Sequence, residues 1–145
     1  MNRNVKVFSF RGEVIAVLIK SGNFNRGMEF FTQESSPLQL ASVRHPQGKR
    51  IEPHLHNKCD RSISVTQEID ILRKGKIRVS LFTNSKKLLA RFLMKAGDII
   101  LFSSGGHGYD VLKDMEMILV KQGPYAGDNS KDKTYIGVNK AGTKR

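Results

Sequence analysis

Read for polarity alone, the chain is a succession of short apolar runs separated by turn-forming residues. The runs are "VKVFSF" (5–10), "EVIAVLI" (13–19), "LQLASVRH" (38–45), "SISVTQEIDILRK" (62–74), "KIRVSLF" (76–82), "LLARFLM" (88–94), "DIILFSS" (98–104) and "MEMILVKQ" (115–122). Many alternate with period two and are rich in Val, Ile, Leu and Phe, which is the signature of half-buried strands. Between them lie "SGNFNRG", "ESSP", "HPQGK", "TNSKK", "KAGD" and "SSGGHG", clusters of the residues that favour turns. Residues 85–94 have the length of a short helix, but the turn residues at Asn84 and at Gly97-Asp98 favour a strand there. The pattern predicts an all-β chain with few or no helices, built as a sandwich or barrel.

The parity of one strand carries chemistry. In residues 62–74, Ser64, Thr66, Glu68, Asp70 and Leu72 share one face, and Ile63, Val65, Gln67, Ile69 and Ile71 the other. A row of polar side chains turned toward an interior is costly unless it binds something. Upstream, the chain places two of its four histidines as His54-Leu55-His56. On a strand these two imidazoles would lie side by side, as two ligands for one ion would. Downstream, the apolar run 98–102 enters a Gly-rich turn that delivers His107, with Tyr109 on the same side if the strand resumes.

These segments together resemble the two signatures of the cupins, a superfamily of small β-barrels. Gly48 is followed by "KRIEP" and then His54-Leu55-His56; Glu68 is followed by "IDILRK" and Gly75; Gly97 is followed by "DIILF", Ser103, Ser104, Gly105, Gly106 and His107. The signature has a short gap where residues 57–67 stand here. Ser103 replaces its proline and Val111 its asparagine, and only Gly106 separates Gly105 from His107. The resemblance implies a jelly-roll barrel of the double-stranded β-helix type over residues 1–122, with the signatures within 48–107. Residues 123–145, polar and rich in Gly and Lys, would form a C-terminal arm or loop with a short strand at "TYIGV". It also implies one divalent transition metal (Fe, Mn, Ni, Cu or Zn) held by His54, His56, Glu68 and His107. Three imidazoles and a carboxylate suit such ions, and the donor set does not choose among them. The string "EMILVKQGPYAGD" is similar to the ending of small cupins associated with surface-polysaccharide and sugar-nucleotide biosynthesis.

The expected function is that of a metal-binding cupin. As an enzyme it would act on a small oxygenated substrate (a sugar, sugar phosphate or nucleotide, or keto acid), as an isomerase, epimerase or dioxygenase. The alternative is a cupin that binds metal or a small ligand without catalysis. Thr66, Asp70 and Tyr109 would line the substrate space by parity, and Arg61 would pair with a carboxylate or phosphate. His45, outside the signatures, and Cys59, at a hairpin tip, are assigned no role.

Composition changes this picture little. The chain has 145 residues, enough for one domain with a sizeable core. One cysteine excludes an intrachain disulfide and fits a reducing compartment. Arg11 and Glu13 interrupt the N-terminal apolar runs before a signal peptide could form, and no run approaches a membrane span; the expectation is a cytoplasmic protein. The net charge of +12 would serve nucleic acid or an anionic ligand. Its basic pairs, Lys49-Arg50, Arg73-Lys74 and Lys86-Lys87, sit at turns, and no nucleic-acid-binding motif accompanies them. A solvated basic surface and a small-molecule ligand are the reading taken. The strand at 115–122, apolar on both faces, suggests a homodimer.

Overall fold

The computed structural model describes residues 3–125 and 133–137. All its regular structure is β, with no helix among the described residues. Eight strands form in chain order: β1 (Val5–Phe10), β2 (Glu13–Ile19), β3 (Gly27–Phe30), β4 (Ala41–Arg44), β5 (Glu68–Phe82), β6 (Leu88–Lys95), β7 (Ile99–Phe102) and β8 (Gly106–Lys121). Six make one sheet in the order β1-β2-β7-β5-β6, with β8 on the remaining edge of β5; β3 and β4 pair separately. Every pairing is antiparallel.

Local chemistry accounts for the simplest connection. Arg11 and Gly12 both adopt positive φ (51° and 82°), the conformation a tight two-residue hairpin needs to match strand twist. β2 follows as the most buried strand, five consecutive residues from Ile15 to Ile19 being closed to solvent. Ala16 and Leu18 join Phe8, Leu72, Ile77, Val79, Leu81, Met94, Ile100 and Phe102 in the core. Val17, on the opposite face, shares a smaller cavity with Phe31, Thr32 and Gln33. The β3–β4 excursion therefore lies over that side.

β5 and β8 shape the molecule. The inward residues of β5 are Asp70 and Leu72 in its first half and Ile77, Val79 and Leu81 in its second. The parity changes between Leu72 and Ile77, where three register irregularities interrupt the pairing with β8. Gly75 sits at this bend with φ +88°, and a Cβ there would lie 2.1 Å from the carbonyl oxygen of Asp114. Only glycine lets the two backbones meet so closely. Bulges of this kind bend a strand sharply, and the sheet curls into a half-barrel. The curl is measured by one contact: Glu68 and Leu81 are thirteen residues apart on β5, about 43 Å if the strand were straight. Yet His107, which pairs with Leu81 in register, reaches Glu68 at 3.3 Å.

The turn between β6 and β7 is fastened to the same bend. Gly97 N–H donates to the Leu72 carbonyl and Leu72 N–H to the Asp98 carbonyl. The fully buried Asp98 carboxylate accepts from Ser21 N–H (2.9 Å), Lys95 N–H (3.0 Å) and Lys20 Nζ (2.8 Å).

Several strand assignments change. Runs 62–74 and 76–82 are one strand, and it begins only at Glu68; residues 45–67 contain no strand. β3, in the stretch "GMEF", was hidden among turn residues. Within residues 85–94 a strand, not a helix, forms from Leu88 on, as the flanking turns require. Of the predicted arm, residues 126–132 and 138–145 lie outside the described residues. Residues 133–137 hold no strand and return to the barrel, where Ile136 packs against Gly106.

Candidate functional site

The concave side of the half-barrel holds a cleft of about 780 Å³. Its wall is built by strand parity. On β8, His107 and Tyr109 project inward at one end, and Leu119 and Lys121 at the other; Glu68, Phe102 and Thr66 complete that wall. Pro124, Tyr125 and residues 133–136 close its rim.

Two side-chain pairs meet at this wall, with Asp70 buried behind Tyr109. His107 Nε2 lies 3.3 Å from Glu68 Oε1, and the imidazole stacks on the Phe102 ring at 3.9 Å between centroids and 15° between planes. The stack fixes the ring, and the carboxylate orients it. Beside them the Tyr109 hydroxyl donates to Asp70 Oδ2. Asp70 is wholly buried, and its other oxygen, Oδ1, has no hydrogen-bond partner among the described residues. An unsatisfied buried carboxylate oxygen is costly, and the cost appears in its titration. Burial pushes the Asp70 carboxyl up to about 6, the bond from Tyr109 opposes this, and the neighbouring Glu68 charge adds to it. Burial also acts to raise Glu68, but the hydrogen bond and charge of His107, helped by Lys121 and Lys133, outweigh it. The Glu68 carboxyl is held below its ordinary value. Burial and the bond to Asp70 push the Tyr109 hydroxyl far above the usual phenol range, so it stays protonated.

The residues predicted from the sequence divide into groups. Glu68, Asp70, His107 and Tyr109 are brought together, and Thr66 lines the same cleft. His54 and His56 are not on a strand. They lie exposed in the 45–67 segment, next to one another (5.1 Å between ring centroids), and His54 Nδ1 is 3.0 Å from the Glu52 carbonyl. Arg61 is exposed in the same segment and does not line the cleft, and Cys59 is exposed. Among the described residues no three His, Cys, Asp or Glu side chains are placed to hold one ion. The four expected ligands thus fall into two pairs, and in this arrangement they do not fit a four-ligand centre.

Sequence reasoning missed Phe102, Lys121 and Gln122. Phe102 and Lys121 flank Glu68 on either side in register, and Gln122 Oε1 accepts the Gln67 N–H at 2.7 Å. Parity within "MILVK" would have paired Lys121 with Leu119 on one face. No local signal connects either to Glu68, because the pairing partner is about fifty residues away. A scan of family models, a search of curated proteins and a search of solved structures each returned no match to the chain.

No helix among the described residues is long and apolar enough to cross a membrane.

Proposed function

We propose that the cleft binds a small oxygenated anion of the sugar, sugar phosphate, sugar nucleotide or keto acid class, and that its two side-chain pairs exchange protons with it. The observation that carries this reading is the adjacency of His107–Glu68 and Tyr109–Asp70 on one concave wall. It joins a carboxyl that titrates near neutrality to an imidazole held in a fixed orientation. The Asp70 carboxyl is raised and the Glu68 carboxyl lowered, and such divergent proton affinities are what general acid–base chemistry at neutral pH needs. A carbon next to a carbonyl would lose its proton to the base, and the C–H electron pair would pass to the carbonyl oxygen, which takes a proton from the acid. Return of a proton to carbon on either face completes an isomerisation or epimerisation. Lys121 and Lys133, at the cleft, supply attraction for a phosphate or carboxylate. Cupin membership and the jelly-roll barrel are the finer readings that accompany this one, supported by the all-β curled sheet and the three motif segments.

The test is ligand titration followed by amide shifts, then deuterium exchange from solvent into bound carbonyl compounds. One class should bind saturably and exchange. His107→Asn should slow exchange by about 100-fold. Absence of binding by every class, or unchanged exchange in His107→Asn, refutes the reading.

A second reading, metal binding with or without catalysis, is favoured by the closeness of ligands within each pair. It requires the 45–67 segment to bring His54 and His56 to Glu68 and His107. Loading with Mn, Fe, Ni, Cu or Zn followed by elemental analysis tests it: about one equivalent per chain, lost in His54→Ala and in Glu68→Ala, supports it. Equal uptake by wild type and both variants refutes it.

The homodimer belongs with these proposals. Among the described residues β8 pairs with β5 alone, and Val111, Leu112, Ile118, Leu119 and Val120 are exposed along it. Its charged residues nearly cancel (Asp110, Lys113, Asp114, Glu116, Lys121), so two copies of a basic chain meet there without repulsion. Light scattering on wild type and Ile118→Lys tests it, with a monomer expected only for the variant.

A further inference from the structure

A second cavity, of about 370 Å³, lies under the connection between β3 and β4, across a thin wall from the cleft. Thr66 and Glu68 line the cleft, and Gln67 between them lines the cavity; Phe102 lines the cleft and Ser103 the cavity. The alternation of side chains along an extended chain produces this shared wall.

The roof of the cavity is fixed by its own hydrogen bonds. The carboxamide nitrogen of Gln39 lies 2.9, 3.1 and 3.0 Å from the carbonyl oxygens of Gln33, Glu34 and Ser36. Thr32 Oγ1 accepts from Leu40 N–H at 3.1 Å and donates to Gln39 Oε1 at 3.0 Å. Gln67 Oε1 accepts from Leu38 N–H at 3.1 Å. These bonds hold residues 31–40 over the sheet and leave space beneath them. A wall fixed in advance lowers the ordering cost of binding.

The lining joins an apolar floor to groups that give and take hydrogen bonds. Val7, Val14, Val17 and Phe31 supply the floor, and Val7 is 43 % exposed although its register partner Val17 is 2 % exposed. Gln67 is buried and donates one N–H to the Ser103 carbonyl at 3.3 Å; a carboxamide carries two. Ser36 and Ser103 add hydroxyl groups. Charge narrows the ligand further. Lys and Arg make up 25 of the 145 residues, yet among the described residues neither they nor His line this cavity. Its one ionisable side chain among them, Glu13, is exposed, and both its carboxylate oxygens accept from Asn84 Nδ2 (3.2 and 3.1 Å). An anion would meet a carboxylate and no cation, and an exposed carboxylate already bonded adds little for a cation.

We propose that this cavity binds an uncharged polyhydroxylated molecule the size of a single sugar ring. Its C–H face would rest on Val7, Val14 and Phe31, and its hydroxyls would meet Gln67, Ser36 and Ser103. The volume lies at the lower end of small-ligand sites, which span about 300–1,000 Å³. Hydroxyl groups donate and accept together, as a lining of amides and hydroxyls requires. The site is separate from the cleft and does not rest on the chemistry proposed there.

Amide shifts of the full chain test it. The neutral probes are glucose, galactose and mannose; their 6-phosphates and their 2-amino-2-deoxy derivatives are the charged counterparts. At least one neutral sugar should bind saturably, with shifts at residues 31–36, 67 and 103, and its charged counterparts should bind there more weakly. Ser36→Trp, which fills the cavity from its roof, should abolish this binding. Val7→Glu, which charges the half-open floor, should weaken it about tenfold or more. His107→Asn, in the cleft, should leave it unchanged. No saturable shift with any neutral sugar, or tighter binding of a charged counterpart, overturns the proposal. Binding that survives both Ser36→Trp and Val7→Glu also overturns it, and its loss in His107→Asn would then place the sugar in the cleft.

Discussion

Asp70→Asn tests the electrostatics of the cleft most directly. The carboxyl is fully buried, with one oxygen bonded by Tyr109 and the other without a hydrogen-bond partner among the described residues. Its titration moves from 3.8 to about 6 on folding. Because the folded chain holds this proton more tightly, folding takes up a proton between these values. The group's contribution to stability therefore falls as pH rises from about 4 through 6. At about 1.4 kcal/mol per pH unit, the full penalty above pH 6 is about 3 kcal/mol. Between pH 5 and pH 8 the part that develops is about 1.4 kcal/mol. Asparagine has the shape of the neutral acid, keeps an acceptor for Tyr109, and places a donor where Oδ1 had no partner. Urea denaturation of wild type and Asp70→Asn at pH 5 and pH 8 gives the comparison. Glu68, whose carboxyl is lowered, stays ionised at both, and groups common to both chains cancel in the difference. The variant should be the more stable at pH 8, by as much as about 3 kcal/mol, and its advantage should shrink by about 1.4 kcal/mol at pH 5. Parallel curves, with the same difference at both pH values, would show that burial does not raise this carboxyl.

Substitutions at Gly75 and Asp98 probe how the half-barrel is held, with Gly108 as the control. Gly75→Ala forces a methyl to within 2.1 Å of the Asp114 carbonyl at a φ of +88° and should cost about 3 kcal/mol or more in urea denaturation. Gly108→Ala, where a Cβ meets nothing within 4 Å, should cost under about 1 kcal/mol. Asp98→Ala removes the acceptor for two backbone N–H groups and Lys20; a loss of about 2–3 kcal/mol is expected, with faster hydrogen exchange at Ser21 and Lys95. Asp98→Asn, which keeps one acceptor, should cost less.

The strands that read clearly were those whose burial follows from local alternation. β1, β2, β6 and β7 lie where "VKVFSF", "EVIAVLI", "LLARFLM" and "DIILFSS" put them, because each packs one defined side, or both, against the core. Parity also placed Glu68 and Asp70 on one face and His107 beside Tyr109. It could not show that these faces meet, since that depends on the bend at Gly75, where a glycine's worth is set by the strand opposite. The His-x-His spacing would suit a strand, but residues 45–67 carry few apolar side chains at alternate positions and form none, and Leu55 is 92 % exposed.

The cleft's cost and its use have a common origin. Curling β5 and β8 brings Glu68, His107 and Lys121 from far along two strands into one wall, with Asp70 buried behind Tyr109, so that His107 and Lys121 lower the Glu68 carboxyl while burial and the Glu68 charge raise that of Asp70. A core built for stability alone would place Leu or Val at position 70, between Ile100 and Leu119 in register. An acid there is destabilising above pH 6 and has no structural task beyond accepting one bond from Tyr109. His107 and Glu68 are paired with each other, and burial lifts the Asp70 carboxyl to about 6. A group held out of its ordinary range by burial, and bonded to a side chain that lines a cleft as Asp70 is to Tyr109, marks a candidate site of proton chemistry. If Asp70→Asn raises stability while abolishing ligand-dependent exchange, the strain is spent on function. If it raises stability and leaves binding and exchange intact, the acid is incidental and the proton-transfer reading rests on His107 and Glu68 alone.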